Sequence, residues 1–303
     1  MRPDFTRTVG DLIRSGARRL ARAHLAFGHG TDNALDEAAY LVMHALKLPV
    51  AQTARHMGAQ VTPQQAQAAL SLLVRRARSR RPAAYLTREA WLGPYRFYVD
   101  ERVIVPRSYL AEWIRNDLPS WIARPEAVGD ALELCTGSGA LAVLLAKSLP
   151  RARVDATDVS PDALAVARRN VARYRLNDRV RLIRADLFAG LARKRYDLII
   201  ANPPYVTARA MARLPAEYRA EPQIALAGGR DGLDYVRRIL ARASRHLRPG
   251  GLLVVEAGHA RKRVERAFPT IAFTWVATSA GDDAVFLLDR DALAEHAAVA
   301  ASR

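Results

Sequence analysis

The chain contains the stretch Asp197-Leu-Ile-Ile-Ala-Asn-Pro-Pro-Tyr-Val206, in which a short apolar run leads directly into two prolines. Four consecutive apolar residues are typical of a strand that is buried on both faces of a sheet. Proline cannot donate a hydrogen bond to a neighbouring strand, so the strand must end at Asn202. The stretch therefore predicts a buried strand that presents a carboxamide at its carboxyl end.

The two prolines also predict a stiff loop beyond that strand. Proline fixes φ and pushes the preceding residue into an extended conformation, so the carbonyl groups of the loop have fixed directions. The side-chain oxygen of Asn202 and the carbonyl of Pro203 can together accept both hydrogens of a planar NH2 group, with the ring of Tyr205 beside it. The loop suits a substrate that carries an amino or amide nitrogen, although the same residues also fit a loop that only ends a strand.

Composition limits the class of protein. The chain has 303 residues, of which 50% are hydrophobic and 25% charged, which is typical of a globular protein with one large and one smaller domain. It has no apolar run of about 18 residues and no secretory signal pattern, so we predict a cytoplasmic protein without a membrane partner. The single cysteine, Cys135, excludes an internal disulfide, and no Cys/His spacing predicts a metal site.

The formal net charge of +17 predicts a polyanionic partner, such as nucleic acid or a ribonucleoprotein. The excess is nearly all arginine and is spread through every predicted helix, which a general arginine bias in composition would also produce. The net charge therefore has two possible explanations, contact with ribosomal RNA through a basic surface and a compositional bias.

Residues 1–85 predict a small helical domain. Apolar residues three and four positions apart indicate an amphipathic helix from Thr6 to Ala26. A turn with two glycines follows at Phe27–Asn33, and the next helix runs to Leu48. A further helix is expected from Thr62, which caps it, to about Ser79.

Residues 86–105 predict a β-hairpin linker, because aromatic and β-branched residues surround the turn formers Gly93-Pro94. From residue 106 to 303 strand patterns alternate with helical ones, which indicates an open, mainly parallel sheet with helices on both faces. The strand candidates are Ala131 to Leu134, Val154 to Thr157, Val180 to Ile183, Leu198 to Ala201, Gly251 to Glu256, Phe273 to Ala277 and Ala284 to Leu288.

The last two strands are separated only by Thr278–Asp283, which is too short for a parallel crossover, so they should form an antiparallel edge hairpin. The predicted fold class is therefore α/β and Rossmann-like, with a small N-terminal helical domain. Ligands of such sheets bind outside the carboxyl ends of the strands.

A glycine loop, Glu133-Leu-Cys-Thr-Gly-Ser-Gly139, lies where the first predicted strand meets the first helix of the sheet. Gly137 and Gly139 allow a tight turn and a close approach of the backbone to a ligand. The loop lacks the third glycine of the dinucleotide pattern and carries a carboxylate, Glu133, which a pyrophosphate-binding loop would avoid. These features indicate a ligand with cationic groups.

Carboxylates also follow the next two strands. Asp158 lies about 20 residues after the glycine loop, where a carboxylate can accept hydrogen bonds from both hydroxyls of a ribose. Asp186, followed by Leu187 and Phe188, offers an acceptor for an adenine amino group with apolar neighbours for the ring faces. Asp186 also fits a plain capping residue of a loop. Carboxylates at three strand ends describe a pocket for a cationic adenosine derivative, and S-adenosylmethionine fits that description.

With these motifs aligned, the chain resembles class I S-adenosylmethionine-dependent methyltransferases, and the Asn202-Pro-Pro-Tyr205 sequence narrows the resemblance to enzymes that methylate planar nitrogens. It is further similar to the HemK/PrmC/PrmB family of protein N5-glutamine methyltransferases, and most of all to the PrmB branch. The motifs that carry this resemblance are Gly28-His-Gly-Thr-Asp-Asn33, Arg81-Pro-Ala-Ala-Tyr-Leu-Thr87, Phe97-Tyr-Val-Asp-Glu-Arg-Val-Ile-Val-Pro-Arg107, Pro106-Arg-Ser108 and Leu226-Ala-Gly-Gly-Arg-Asp-Gly-Leu233.

The resemblance implies roles for individual residues. Asn202 and Pro203 would hold the glutamine amide, with Tyr205 beside it, and these three residues would be the catalytic ones. Pro204 and Arg107 would complete the substrate site. The cofactor-binding residues implied for S-adenosylmethionine are Glu133, Thr136, Gly137, Gly139, Asp158, Asp186, Leu187 and Asn202, with no metal.

The substrate implied by the PrmB branch is a glutamine of large-subunit ribosomal protein L-three, recognised by the helical domain. Three alternatives stay open: a glutamine methyltransferase for peptide chain release factors, an N6-adenine methyltransferase for DNA or RNA, and a non-catalytic ribosome assembly factor. The adenine alternative usually needs a base-flipping or target-recognition domain, which the sequence does not indicate. The non-catalytic alternative predicts decay of the loop motifs, which are intact.

Overall fold

The computed structural model describes residues 7–122, 124–191 and 194–301. Two compact units make up the chain, and neither is a single continuous segment. The first contains the residues up to Ala90 together with Val99–Glu101 and Leu214–Glu221, and the second contains Trp91–Tyr98, Arg102–Arg213 and the residues from Pro222 onward. Nothing in the local sequence indicates that the two later segments join the first unit.

The first unit is helical, and its long helices bury their apolar faces against one another. Each long helix begins at a residue whose side chain accepts a backbone N–H: Thr8, Asn33 and Thr62. The predicted start at Thr6 lies outside the described residues, and the second helix ends at Ala45 rather than at Leu48. The helices of this unit are α1 (Val9–Arg22), α2 (Ala34–Ala45), α3 (Thr53–His56), α4 (Pro63–Ser79), α5 (Ala83–Thr87) and α11 (Ala216–Arg219), with a 3-10 turn at Val50–Gln52.

A two-stranded hairpin of β1 (Ala90–Leu92) and β2 (Tyr95–Phe97) follows along the chain. The hairpin is shorter than the predicted range of 86–105. Val103 and Ile104 form no strand, so aromatic and β-branched content alone overstated the strands here.

The second unit is built on a seven-stranded sheet in the order β5-β4-β3-β6-β7-β9-β8. Its first five strands are parallel, and β9 pairs antiparallel with both β7 and β8, which confirms the predicted edge hairpin. The seven strands are β3 (Asp130–Leu134), β4 (Arg153–Asp158), β5 (Val180–Arg184), β6 (Tyr196–Ala201), β7 (Leu247–Glu256), β8 (Thr274–Thr278) and β9 (Gly281–Asp289).

Helices cover both faces of this sheet, with one apolar core around Leu144 and Leu145 and the other around Ile239 and Leu240. The helical segments of the unit are α6 (Leu110–Glu112), a π-helical turn (Trp113–Asp117), α7 (Leu118–Trp121), α8 (Ala140–Ser148), α9 (Pro161–Arg173), α10 (Ala208–Met211), α12 (Asp234–His246), α13 (Arg261–Ala267) and α14 (Arg290–Ala301), with 3-10 turns at Pro125–Ala127 and Gln223–Ala225.

The strand order reverses between β3 and β6. The chain runs from β3 outward to β5 and then returns to the other side of β3 as β6. A crevice forms at such a switch point, outside the carboxyl ends of the strands. Leu134 pairs with Ala201, so Cys135 and Asn202 leave the sheet side by side.

Among the described residues, no helix is both long enough and apolar enough to cross a membrane.

Candidate active site

An open pocket of about 650 Å³, including its solvent-filled mouth, lies at this switch point within the second unit. Six predicted site residues line it together. They are Gly137, Asp158, Asp186, Leu187, Asn202 and Pro204. The rest of the wall is mainly apolar and also contains two polar side chains, Arg102 and Ser160; its other members are Val103, Ile104, Cys135, Val159, Ala163, Ala185, Pro222, Ile224, Ala225 and Tyr235.

The glycine loop folds tightly beneath the pocket. Gly137 has a φ of +53°, and a Cβ added to it would meet no atom within 4 Å, which leaves that space for a ligand. Gly139 has a φ of +76°, and its α-carbon lies against Ala167, where an added Cβ would approach the Ala167 Cβ to 3.0 Å. Gly137 therefore faces the pocket, whereas Gly139 provides the close packing of two helices.

Asp158 lines the pocket but is held by the backbone. Its Oδ2 accepts the Gly137 N–H at 2.8 Å and its Oδ1 accepts the Ser160 N–H at 2.9 Å. Ser160 caps α9 through its side chain, which accepts the Ala163 N–H. Each carboxylate oxygen has more than one lone pair, so both oxygens can still accept a hydrogen bond from a ligand. Burial raises the pKa of Asp158, and hydrogen bonds from the backbone of Ser160, Gly137 and Val159 oppose that rise.

Glu133 and Thr136 belong to the glycine loop but do not line the pocket. The Thr136 hydroxyl donates to Glu133 Oε2 at 2.5 Å, and both residues are buried. Burial raises the pKa of Glu133 to about 8. With this pKa, the carboxyl group of Glu133, a predicted cofactor ligand, is protonated at neutral pH.

Two pocket residues have a backbone conformation that glycine usually adopts. Cys135 and Leu187 have φ values of +59° and +53°. Such strained positions persist where the surrounding structure fixes them, and they concentrate at functional sites. The carboxylate of Asp186, next to Leu187, pairs with Arg238 at 2.6 Å, so the proposed acceptor for an amino group already carries a cation.

The candidate substrate loop, Asn202–Tyr205, packs against the segment Leu226–Leu233. Val206 donates to the Leu226 carbonyl and accepts from the Gly228 N–H, each at 2.8 Å. A Cβ on Gly228 would lie 2.6 Å from the Tyr205 α-carbon. Gly228 of the family motif is therefore required, because two backbone segments touch there.

Sequence reasoning missed Glu256. This buried residue ends β7, and its Oε1 accepts the Tyr205 hydroxyl at 3.2 Å. Its Oε2 accepts the Ser108 hydroxyl at 2.5 Å and the Tyr109 N–H at 2.9 Å. An acidic residue that closes an apolar strand was the available signal, because a buried carboxylate needs partners.

The remaining candidates are placed as follows. Arg107 is half-buried, and its guanidinium donates to the Val105 carbonyl at 3.1 Å. His246 stacks on Phe188 with ring centroids 4.7 Å apart, and neither ring lines the pocket. His259 pairs with Asp283 on the surface. No histidine among the pocket residues offers a general base.

Comparison with known proteins accounts for both units. A family model described as PrmC N-terminal domain matches residues 11–87. A second, described as Methyltransferase small domain, matches residues 119–217. The first covers most of α1 and all of α2 to α5, and the second covers β3 to β6 with the glycine loop and Asn202–Tyr205.

Relatives extend the match over nearly the whole chain. The ribosomal protein uL3 glutamine methyltransferase of Burkholderia pseudomallei is 53% identical over 94% of this chain and 95% of its own. The chain belongs to this family. The enzyme of the same name from Neisseria meningitidis serogroup B is 50% identical over 94% of each chain, and that of Xylella fastidiosa is 43% identical over 98% of this chain and 95% of its own. The resemblance drawn from the sequence motifs is confirmed, and so is the predicted methyltransferase fold.

Proposed function

We propose that this protein transfers a methyl group from S-adenosylmethionine to the side-chain amide nitrogen of a glutamine in uL3, the large-subunit ribosomal protein L-three, in the cytoplasm. One observation carries the proposal: Asn202 stands at the carboxyl end of β6, lines the pocket at the switch point, and begins a rigid loop of backbone acceptors. The names of relatives that are about half identical over most of the chain support the choice of substrate.

The residues around the pocket fit the cofactor. Gly137 leaves space for a close approach, Asp158 offers two acceptors for ribose hydroxyls, and Leu187 adds an apolar surface. S-adenosylmethionine supplies a methyl group on a positively charged sulfur, and the carboxylates of Asp158 and Asp186 suit that charge. Asp186 must share its carboxylate between Arg238 and an amino group of the ligand.

Asn202 and Pro203 orient the amide nitrogen in this mechanism. An amide nitrogen is a poor nucleophile because its lone pair is delocalised into the carbonyl group. Two acceptors on its hydrogens increase its electron density and aim it along one line of approach. Tyr205 and Pro204 confine the flat amide, and the support of Leu226–Leu233 holds this loop rigid.

The mechanism needs no strong base at the pocket. The nitrogen is highly acidic after it gains the methyl group, so a loop carbonyl or water accepts the leaving proton. This agrees with the positions of His246 and His259, which are both engaged outside the pocket wall.

The test is a transfer assay with labelled S-adenosylmethionine and four acceptors: free uL3, ribosomal particles, release factor and nucleic acid. We expect label on a uL3 glutamine, located by mass spectrometry of the product. Label on release factor would overturn the choice of substrate, and label only on nucleic acid would overturn the glutamine chemistry.

Asn202→Ala should lower turnover about 100-fold or more, because one of two acceptors that align the nitrogen is lost. Cofactor affinity, measured by calorimetry, should change much less. Asn177→Ala is the matched control, because Asn177 is exposed on the same unit and outside the pocket wall. Full activity in Asn202→Ala would remove the proposed role of this side chain.

We also infer a contribution of ribosomal RNA to substrate binding, since the net charge is +17. Arg18 on α1, Arg75 on α4 and Arg242 on α12 are all exposed, so the charge is spread over several helices rather than gathered in one patch. The Km for uL3 bound to ribosomal RNA should then rise with salt more steeply than the Km for free uL3. If the two Km values depend equally on salt, the positive charge reflects a general arginine bias rather than binding of ribosomal RNA.

A further inference from the structure

The carboxyl group of Glu256 connects three separate segments near the substrate loop, and the mechanism above does not use it. Glu256 is the last residue of β7 and follows Val255, which pairs with Ala201, so it lies beside Asn202 at the carboxyl end of the sheet. Only 1% of the residue is exposed. Burying a carboxyl group costs free energy, so its hydrogen-bond partners must account for its presence at this position.

Its two oxygens have different partners. Oε2 accepts from the Ser108 hydroxyl and from the Tyr109 N–H, which fixes the carboxyl group in the fold. Oε1 accepts the hydroxyl of Tyr205. Burial raises the pKa values of both Glu256 and Tyr205, so the tyrosine stays a hydrogen-bond donor.

The ring of Tyr205 has a second, independent constraint. A Cβ on Gly258 would lie 2.8 Å from its Cε2, so the ring packs directly against the backbone there. Gly258 limits the position of one side of the ring, and Glu256 fixes its hydroxyl end. Stability alone does not require this arrangement, because well-packed apolar groups often stabilise a buried site as well as a charged one does.

We propose that Glu256 is a positioning residue, which holds Tyr205 at the orientation needed beside the substrate amide, while Ser108 and Tyr109 fix the Glu256 carboxyl group. The inference rests on the proposed function, because it deepens the role of the same substrate loop.

The chain offers a matched pair for the test. Tyr196 donates its hydroxyl to the buried Asp155 at 2.7 Å. This second tyrosine–carboxylate pair belongs to the same unit, but Tyr196 begins β6 whereas Tyr205 follows the end of that strand. Variants of the two pairs should lose similar stability and differ in catalysis.

The experiment measures kcat and KM for uL3, and the melting temperature, in Tyr205→Phe, Glu256→Ala, their double variant and Glu256→Gln. Tyr196→Phe and Asp155→Asn serve as controls. We expect kcat to fall about 10- to 100-fold in Tyr205→Phe and in Glu256→Ala, with a smaller change in KM. The double variant should be no slower than Glu256→Ala, because each substitution removes the same hydrogen bond between Tyr205 and Glu256.

Glu256→Gln should recover most of the lost kcat. The Tyr109 N–H can only donate, so the glutamine oxygen must stay at that position and its NH2 group must face Tyr205, whose hydroxyl can accept. The bond survives with its direction reversed. A merely structural loss of charge would not be rescued in this way.

Wild-type kcat in Tyr205→Phe, additive losses in the double variant, or an equal loss of kcat in Tyr196→Phe would each overturn the inference. An NMR spectrum of ring-labelled tyrosine in Glu256→Ala tests the positioning role of Glu256 independently of the proposed methylation activity. If wild type methylates no glutamine, the proposed function fails, and an unshifted Tyr205 signal in Glu256→Ala shows independently that Glu256 does not hold the ring.

Discussion

The carboxyl group of Glu133 is buried, and it stays protonated at pH values where an exposed glutamate is ionised. Burial raises its pKa from an ordinary value of 4.5 to about 8, against the hydrogen bonds from Thr136 and the Ala142 N–H. The folded protein therefore keeps a proton that the unfolded chain releases near pH 4.5. The contribution of Glu133 to stability is fully present below pH 4.5 and declines as the pH rises to about 8.

Glu133→Gln should abolish this decline, because glutamine has nearly the same shape and does not titrate. The unfolding free energy of wild type, relative to the variant, should fall between pH 5 and pH 8.5 by an amount on the order of 4 kcal/mol. Urea unfolding at the two pH values measures it. Parallel pH profiles for the two proteins would show that Glu133 ionises normally.

At the level of elements, the substrate loop depends on the glycine segment behind it. Gly228→Ala would place a Cβ 2.6 Å from the Tyr205 α-carbon and 2.8 Å from the Pro204 carbonyl oxygen, both of them backbone atoms that cannot rotate away. The loop must shift, so we expect kcat/KM for uL3 to fall about 100-fold, with a lower melting temperature.

Gly58→Ala is the control for that substitution. A Cβ there would meet no atom within 4 Å, and Gly58 has no left-handed φ. This variant should keep wild-type activity and equal or higher stability, because alanine restricts the unfolded chain. Unchanged activity in Gly228→Ala would mean that the loop tolerates displacement.

The elements themselves were predictable because their signals are local. The apolar run before Pro203 located β6 and its end, and the predicted strands of the sheet were all found. Glu256 was not predicted as part of the site, since its partners Ser108 and Tyr205 are 148 and 51 residues away. Contacts at such separations leave no periodic pattern in the sequence.

At the scale of the whole molecule, the first unit is completed by a segment from far along the chain. Glu217 of that segment is fully buried, and its Oε1 lies 2.8 Å from the Arg80 guanidinium and 3.9 Å from that of Arg76, outside hydrogen-bonding geometry for both. Tyr218 donates its hydroxyl to the Phe27 carbonyl. A boundary predicted at residue 85 could not include this segment, because the short α11 has no apolar pattern that indicates where it packs.

Arg76 is the centre of this buried charge cluster, so its removal should destabilise the first unit. Its Nε donates to Glu37 Oε1 at 2.7 Å and its Nη2 to the Ala26 carbonyl at 3.2 Å, and none of its surface is exposed.

Arg76→Met retains the aliphatic volume but leaves Glu37 and Glu217 with less compensating charge. A buried charge that loses its partner costs about 3 kcal/mol or more, measurable by urea unfolding. Arg75→Met, at the exposed neighbouring position, should change the free energy by less than about 0.5 kcal/mol. Equal effects of the two substitutions would show that the cluster contributes nothing to holding Leu214–Glu221 in the first unit.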